Sequence, residues 1–262
     1  MRLVRLAPET SNVPEAARYS KREVSRAGQH LAARLAGRRS GSASAPTDTD
    51  DAEDARARQI VEWWRAQHEG PMLEVYEMVK RLAPALDLGE TQLLAVSFRP
   101  KRVESAIEKL TREPGKLADM VDIAGVRAVL NNQDDVDELR AGLAEALEVK
   151  RVRDWTRNPR ETGYRAVHLH VRQRGYMIEV QLRTFGQDAW ANAVEEEARL
   201  SGANYKAGQG HESVLAFFRV VADLFGAMEL GETHQDLSER LLTAYQDARP
   251  HLRTPTLREL EP

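Results

Sequence analysis

The chain has 262 residues, a formal charge of −3 and no cysteine. The missing thiols exclude disulfides, thiolate metal sites and a cysteine nucleophile, and the near-neutral charge argues against a non-specific nucleic-acid coat. Apolar residues make up 42%, no run approaches the roughly 18 of a membrane span, and segment 1–8 is too poor in them for a signal peptide, so a soluble, cytoplasmic protein is expected.

The first predicted element is a helix over 18–36, with Val24, Ala27, Leu31 and Leu35 on one face and a capping box from Ser20 to Glu23. Residues 37–58 are small and polar and read as a linker. Helical periodicity returns over 55–86 through Ile60, Trp63, Trp64, His68, Met72, Val75 and Val79, and Pro71 divides it into two helices. Strand and helix signals then alternate. Strands are expected at 93–98, 125–130 and 147–155, with helices at 103–110 and 134–147. A hairpin of 165–171 and 176–182 turns at Gly175, and a helix follows over 185–200. This order predicts an α/β (α+β) fold, a mixed β-sheet with flanking helices. An amphipathic helix over 211–230, a polar helix and a proline-rich tail close the chain. The expected divisions are an N-terminal helix and linker (1–58), a helical lead-in (59–90), a central domain (91–200) and C-terminal helices with a tail (201–262).

Several side chains carry chemistry. Lys101, Ser105 and Lys109 are spaced i, i+4, i+8 and, with Arg99, form a basic ridge at a helix N-terminus that suits a polyphosphate. Taken alone, the ridge reads more simply as a solvated charged face. Asp122 stands before a strand, either as a Mg²⁺ ligand or as a loop aspartate capping its own backbone. Glu179, Gln181 and Arg183 alternate along one strand face, which is either solvent-facing or lines a site. Tyr164 follows the basic loop 157–160 and offers an aromatic platform, or is a half-buried strand tyrosine; His168 equally suits a satisfied sheet histidine. In the helix after the hairpin, Trp190 and Val194 are spaced for packing and Glu195 lies one position round.

Their order is more specific than any one of them. Arg99-x-Lys101-x₃-Ser105-x₃-Lys109, Asp122-Ile-x-Gly-x-Arg127, Asn158-Pro-Arg-x₂-Gly-Tyr164-x₃-His168, Glu179-Val-Gln-x-Arg-Thr184 and Trp190-Ala-x-Ala-Val-Glu195 together resemble the synthetase domain of the RelA/SpoT family, over about residues 90–200. Weaker likeness in the flanks, as in Tyr19-Ser-Lys and Phe217-Phe-x-x-Val, points to the small single-domain branch that includes toxic small alarmone synthetases. The resemblance implies a nucleotidyltransferase-like sheet and transfer of the β,γ-pyrophosphate of ATP to a ribose 3′-hydroxyl. Arg99 and Arg127 would sandwich the adenine, while Lys101, Ser105 and Lys109 would hold the phosphates. Asp122 and Glu195 would ligate Mg²⁺. Tyr164 would stack on the acceptor base, with His168 supporting its loop. Glu179, with Gln181 beside it, would orient or deprotonate the hydroxyl, and Arg160 and Arg183 would neutralise developing charge. The acceptor it implies is the 3′-terminal adenosine of tRNA, or else a guanosine or adenosine nucleotide, and a toxin would have a neutralising antitoxin. Seven cations between Arg18 and Arg39 against one Glu offer a basic arm for a phosphate backbone, or a solvated helix face and linker. Two positions depart from the family pattern: Asp188, where His is frequent, and Arg160, where Lys is frequent. No His-Asp dipeptide of the family's hydrolase domain is present, so synthesis without hydrolysis is expected. Oligomeric state is not legible.

Overall fold

The computed structural model describes residues 19–41, 48–87, 92–93, 95–232 and 235–259. The readings for segment 1–8, for residues 42–47 of the linker and for the last three residues of the tail lie outside these. The helices are α1 (Lys21–Ser40), α2 (Asp48–Ala66), α3 (Glu69–Leu82), α4 (Val103–Arg112), α5 (Gln133–Ala146), α6 (Phe185–Ser201), α7 (Glu212–Glu229), α8 (Gln235–Ala248) and α9 (Pro255–Arg258). The strands are β1 (Leu86–Asp87), β2 (Gln92–Leu93), β3 (Val96–Pro100), β4 (Ala124–Leu130), β5 (Glu148–Asp154), β6 (Val167–Gln173) and β7 (Tyr176–Thr184). The chain forms two compact units. One holds the described residues up to Trp64 together with Val103–Asp119; the other holds Arg65–Arg102 and the chain from Met120 onward.

In the first unit, Ser20 and Glu23 form the expected capping box on α1, and Gly41 ends the helix at φ 69°. A Cβ at Gly28 would sit 2.8 Å from Leu117 Cβ, so glycine there lets α1 approach the 117–119 turn closely. The expected polar linker is largely helical, since α1 runs to Ser40 and α2 starts at Asp48. Ion pairs explain part of this. Arg34 and Arg38 reach Asp54, and Arg39 reaches Glu108 on α4.

The second unit is built on a five-stranded sheet in the order β3-β4-β7-β6-β5, with β4 and β7 parallel and the other pairs antiparallel. Alternation sends Val126, Ala128, Leu130, Leu169, Val171, Val180 and Leu182 to one face. There they are buried with Met72, Val75 and Val79 of α3 and Val136, Leu139 and Leu143 of α5. Burying each valine, leucine or methionine of this set stabilises the fold by about 1.5–3 kcal/mol. The α2–α3 break falls at residues 67–68, two or more residues before Pro71. Pro71 lies in the first turn of α3, where its missing N–H is not needed, and buried His68 packs against Tyr176. The β6–β7 turn places Arg174 at φ 48° and Gly175 at φ 85°, as a two-residue hairpin requires.

The opposite face of the sheet is polar. Register aligns Arg99 with Gly125 and Glu179, and Arg127 with Gln181 and His168. Residues two apart on a strand share a face, so Arg99, Arg127, Glu179, Gln181, Arg183, His168 and His170 all belong to it. A second apolar cluster, with Tyr164, Trp190, Val194, Tyr205, Val214 and Phe218, joins α6 to α7. Trp190 Nε1 donates to the Phe218 carbonyl at 2.7 Å and fixes that pairing.

Candidate active site

Glu179, on the central strand β7, is the middle of the polar face. Its side chain is 13% exposed. His168 Nδ1 lies 2.9 Å from Oε1, and Gln181 Nε2 donates to Oε2 at 2.7 Å. His170 Nε2 stands 3.8 Å from the same Oε1. Burial pushes the Glu179 carboxyl up. The hydrogen bond and charge of His168, the Gln181 amide and His170 outweigh burial and hold it at about 2. Glu179 is therefore a fixed anion at neutral pH.

The network extends outward from this carboxylate. Tyr164 Oη lies 2.7 Å from His168 Nε2 and accepts from Arg183 Nη2 at 3.1 Å. Arg183 also donates to Gln181 at 3.0 Å and to Asp188 at 3.0 Å. Asp188 in turn accepts from Arg127 at 3.2 Å. Burial and the nearby Arg183 lower the pKa of Arg127. Two expectations change here. Arg183 is 2% exposed and both its Nη atoms are engaged within the protein, an arrangement that suits positioning its neighbours more than meeting a phosphate. Tyr164 lies in the loop before β6, and its ring is 6% exposed, so it is neither an open platform nor a half-buried strand tyrosine.

Three cations surround the Tyr164 ring. Arg183 is 5.5 Å from its centroid, and Arg160 and Lys206 are each 5.6 Å away. Arg160 is exposed and lies 4.3 Å from the Trp155 ring. Lys206 follows α6 in a 3₁₀ turn, Tyr205–Ala207, anchored by buried Tyr205. Its ammonium is 2.5 Å from Glu195 Oε1. Burial pushes the Lys206 pKa down to about 8 against the pull of Glu195.

Lys101 pairs with Asp122 at 3.0 Å, so the basic ridge and the expected metal ligand do meet. Lys101 precedes α4, however, and the shared helical face reduces to Ser105 and Lys109, which lie in the first unit. Arg99 is exposed on β3 and, among the described residues, makes no ion pair.

Each of the two expected metal ligands is paired with a lysine. Asp122 is a hard carboxylate at the end of the β3–β4 pair, and Mg²⁺ bound to phosphates takes only about one or two protein carboxylates. It fits that role. Glu195 is half exposed and paired with Lys206, and the charges of Lys206, Arg127 and Arg183 lower its pKa against the effect of burial. A divalent ion there would have to displace the Lys206 ammonium, as one at Asp122 would displace Lys101. Among the described residues no three His, Asp or Glu side chains group as a metal site.

Three residues of the network were not singled out as site residues. His170 was legible, two residues from His168 and on the same strand face. Asp188 showed only as a departure from a pattern. Lys206 gave no signal, because its partner Glu195 is on the far side of a helix end.

Residues 98–209 match the family model described as a region found in RelA/SpoT proteins. A probable chloroplastic GTP diphosphokinase, CRSH, of Arabidopsis thaliana is 27% identical over 153 residues, covering 50% of this chain and 26% of that protein. The GTP pyrophosphokinase YwaC of Bacillus subtilis is 30% identical over 120 residues, covering 40% of this chain and 57% of its own length. A GTP pyrophosphokinase family protein from Streptococcus pneumoniae superposes with a TM-score of 0.51 at 21% identity, over 70% of this chain and 98% of the other, a likeness of fold. The chain thus spans from about a quarter to a little over half of these curated relatives.

Proposed function

We propose that this chain, whose residues 98–209 are a RelA/SpoT region, transfers the β,γ-pyrophosphate of ATP to a ribose 3′-hydroxyl. The observation that carries the reading is the Glu179 carboxylate, locked as an anion by His168 and Gln181 at the centre of a polar face rimmed with cations. A carboxylate with a pKa of about 2 is a weak base. It is suited to accept a hydrogen bond from the 3′-hydroxyl and aim its oxygen, taking the proton late. Phosphoryl transfer through a loose transition state asks for such positioning and charge neutralisation more than for base strength.

Arg99 and Arg127, on adjacent strands of the same face, take the adenine, and Lys101 takes the phosphates. Arg160 meets developing charge. Asp122 holds Mg²⁺, which supplies further neutralisation of the polyphosphate when bound. Tyr164, His168 and Arg183 keep Glu179 and Gln181 in register.

For the acceptor we take a guanosine nucleotide first, because the two curated relatives described above carry GTP in their names. The 3′-terminal adenosine of tRNA, in a translation-blocking toxin with an antitoxin, is the second reading. It rests on the exposed Lys21, Arg22 and Arg26 of α1. Pairing of Arg34 and Arg38 with Asp54, and of Arg39 with Glu108, weakens it. Among the described residues no helix is long and apolar enough to cross a membrane, and we place the reaction in the cytoplasm.

The test is transfer of label from γ-labelled ATP, with magnesium, to GDP, GTP, ADP or deacylated tRNA, with Glu179→Gln as control. Label on a guanosine nucleotide, lost in the variant, supports the first reading; label on tRNA supports the second. No transfer to any acceptor refutes both.

A further inference from the structure

A 3′-hydroxyl that attacks phosphorus gives up a proton, and Glu179, held at about 2, cannot keep it. The side chains that touch Glu179 offer few destinations. The Gln181 amide, 2.7 Å from Oε2, is no base. Both ring nitrogens of His168 are engaged, Nδ1 with Glu179 Oε1 and Nε2 with Tyr164 Oη. His170 differs. It stands directly across from Glu179 in the β6–β7 register and is 5% exposed. Among the described residues its ring makes no hydrogen bond, and its Nε2 lies 3.8 Å from Glu179 Oε1. A hydrogen bond to a carboxylate is about 2.7–2.9 Å long, so this is the spacing of two acceptors that face each other with no proton between them.

The surroundings keep the imidazole in that state. Arg151 and Arg153 of β5 face His170 and His168 across the β5–β6 pair. Burial lowers the pKa of His170 against the attraction of Glu179, and Arg153, His168 and Arg151 lower it further. The ring is therefore neutral at neutral pH. With its one proton on Nδ1, it turns the Nε2 lone pair toward Glu179.

We propose that His170 is the terminal acceptor of the hydroxyl proton, acting through Glu179. The proposal rests on the pyrophosphokinase reading above. The 3′-oxygen bonds to the β-phosphorus while the bond from that phosphorus to the oxygen it shares with the α-phosphorus breaks. AMP leaves with the electron pair of the broken bond. The hydroxyl proton passes to Glu179 Oε1 and on to His170 Nε2, and the two side chains close to an ion pair. Loss of the proton to water after product release resets the site. Glu179 stays the anion that aims the hydroxyl, and base strength is supplied one side chain further back.

The experiment follows turnover against pH for wild type and His170→Gln, a planar polar replacement that takes up no proton. Label moves from ATP to whichever of GDP, GTP, ADP or deacylated tRNA accepts it. At pH 8 the variant is expected to lose roughly tenfold in kcat, with KM unchanged for both substrates. That is less than the usual hundred-fold or more of acid–base catalysis, because a loose transition state moves the proton late. The gap is expected to close as pH falls below about 6.5, since wild type then starts with the proton already on His170. Nitrogen-15 spectra of the resting protein at pH 7 are expected to show His170 neutral, with its proton on Nδ1. A variant that turns over like wild type, a gap that is the same at every pH, or a resting His170 with a proton already on Nε2 overturns the proposal, and the spectrum needs no variant. No transfer by wild type to any acceptor sinks the pyrophosphokinase reading and the proposal with it. Transfer with an unmoved pH profile sinks the proposal alone.

Discussion

Replacing His168 with Phe tests the claim that Glu179 is an anion by construction. The substitution removes the Nδ1 contact to Glu179 at 2.9 Å and the Nε2 contact to Tyr164 at 2.7 Å, and keeps a ring in the buried space. With its strongest partner gone, burial should dominate and return the Glu179 carboxyl to 4.5 or above. A carboxyl held at about 2 rather than 4.5 favours the folded anion by about 3 kcal/mol. Because the folded pKa is the lower one, that stabilisation is fully present above about 4.5 and is lost as pH falls through about 2. Urea unfolding of both proteins should therefore show a gap whose pH-dependent part is about 3 kcal/mol at pH 7 and falls by more than half at pH 3. The lost Tyr164 hydrogen bond adds a part of about 1 kcal/mol that does not change with pH. Carbon-13 titration of the Glu179 carboxyl gives the pKa directly. A gap of equal size at pH 3 and pH 7, or a variant carboxyl still titrating near 2, would refute the reasoning.

Three further outcomes follow from the same geometry. Asp188→Ala leaves Arg183, 2% exposed, without its carboxylate, and breaking a buried pair costs about 3–5 kcal/mol; a thermal shift as small as that of an exposed-site variant would count against it. Gly163→Ala demands a residue at φ 90° with its Cβ 2.6 Å from Ala222 Cβ, a strain of about 1–3 kcal/mol that urea unfolding should register. Fully buried Glu197 accepts from Arg253 N, Thr254 N and Thr254 Oγ1. Glu197→Ala should release the C-terminal segment to limited proteolysis at a protease level that leaves wild type intact.

Much of the fold was legible because it rests on period. Strict alternation in β4 and β7 fixed both the core face and the polar face, and the turn at Gly175 fixed their hairpin partner β6. The capping box at Ser20 was likewise readable, since it lies within four residues of chain. What failed to show was long-range pairing. Residues 37–58 look like a linker by composition, but their charges match acids and bases elsewhere in the first unit, Asp54 with Arg34 and Arg38 among them. The same holds in the site. Alternation placed Glu179, Gln181 and Arg183 on one face, but could not show that Arg183 is sealed by Asp188. Nor could it show that Tyr164 is covered. Both depend on α6 folding back over the sheet, and that is set by Trp190 packing on Phe218, 28 residues away.

The pairing pattern also bears on the order of binding. Arg127 and Arg183 share Asp188, Lys206 holds Glu195 and Lys101 holds Asp122. Arg99 and Arg160 hold no carboxylate among the described residues, so a nucleotide can approach them without breaking a pair. At Lys101 it must draw the ammonium from Asp122, and the same movement opens that carboxylate oxygen to a divalent cation. Donor and Mg²⁺ should therefore assist one another at this pair. Calorimetry of ATP binding is expected to show a clear loss of affinity when chelator removes Mg²⁺. Lys101→Met should ease Mg²⁺ binding in the absence of ATP, because the metal then no longer competes with the Lys101 ammonium for Asp122. Equal ATP affinity with and without the metal, together with no Mg²⁺ binding to the variant, would mean that the Lys101–Asp122 pair is structural and that the metal is held elsewhere.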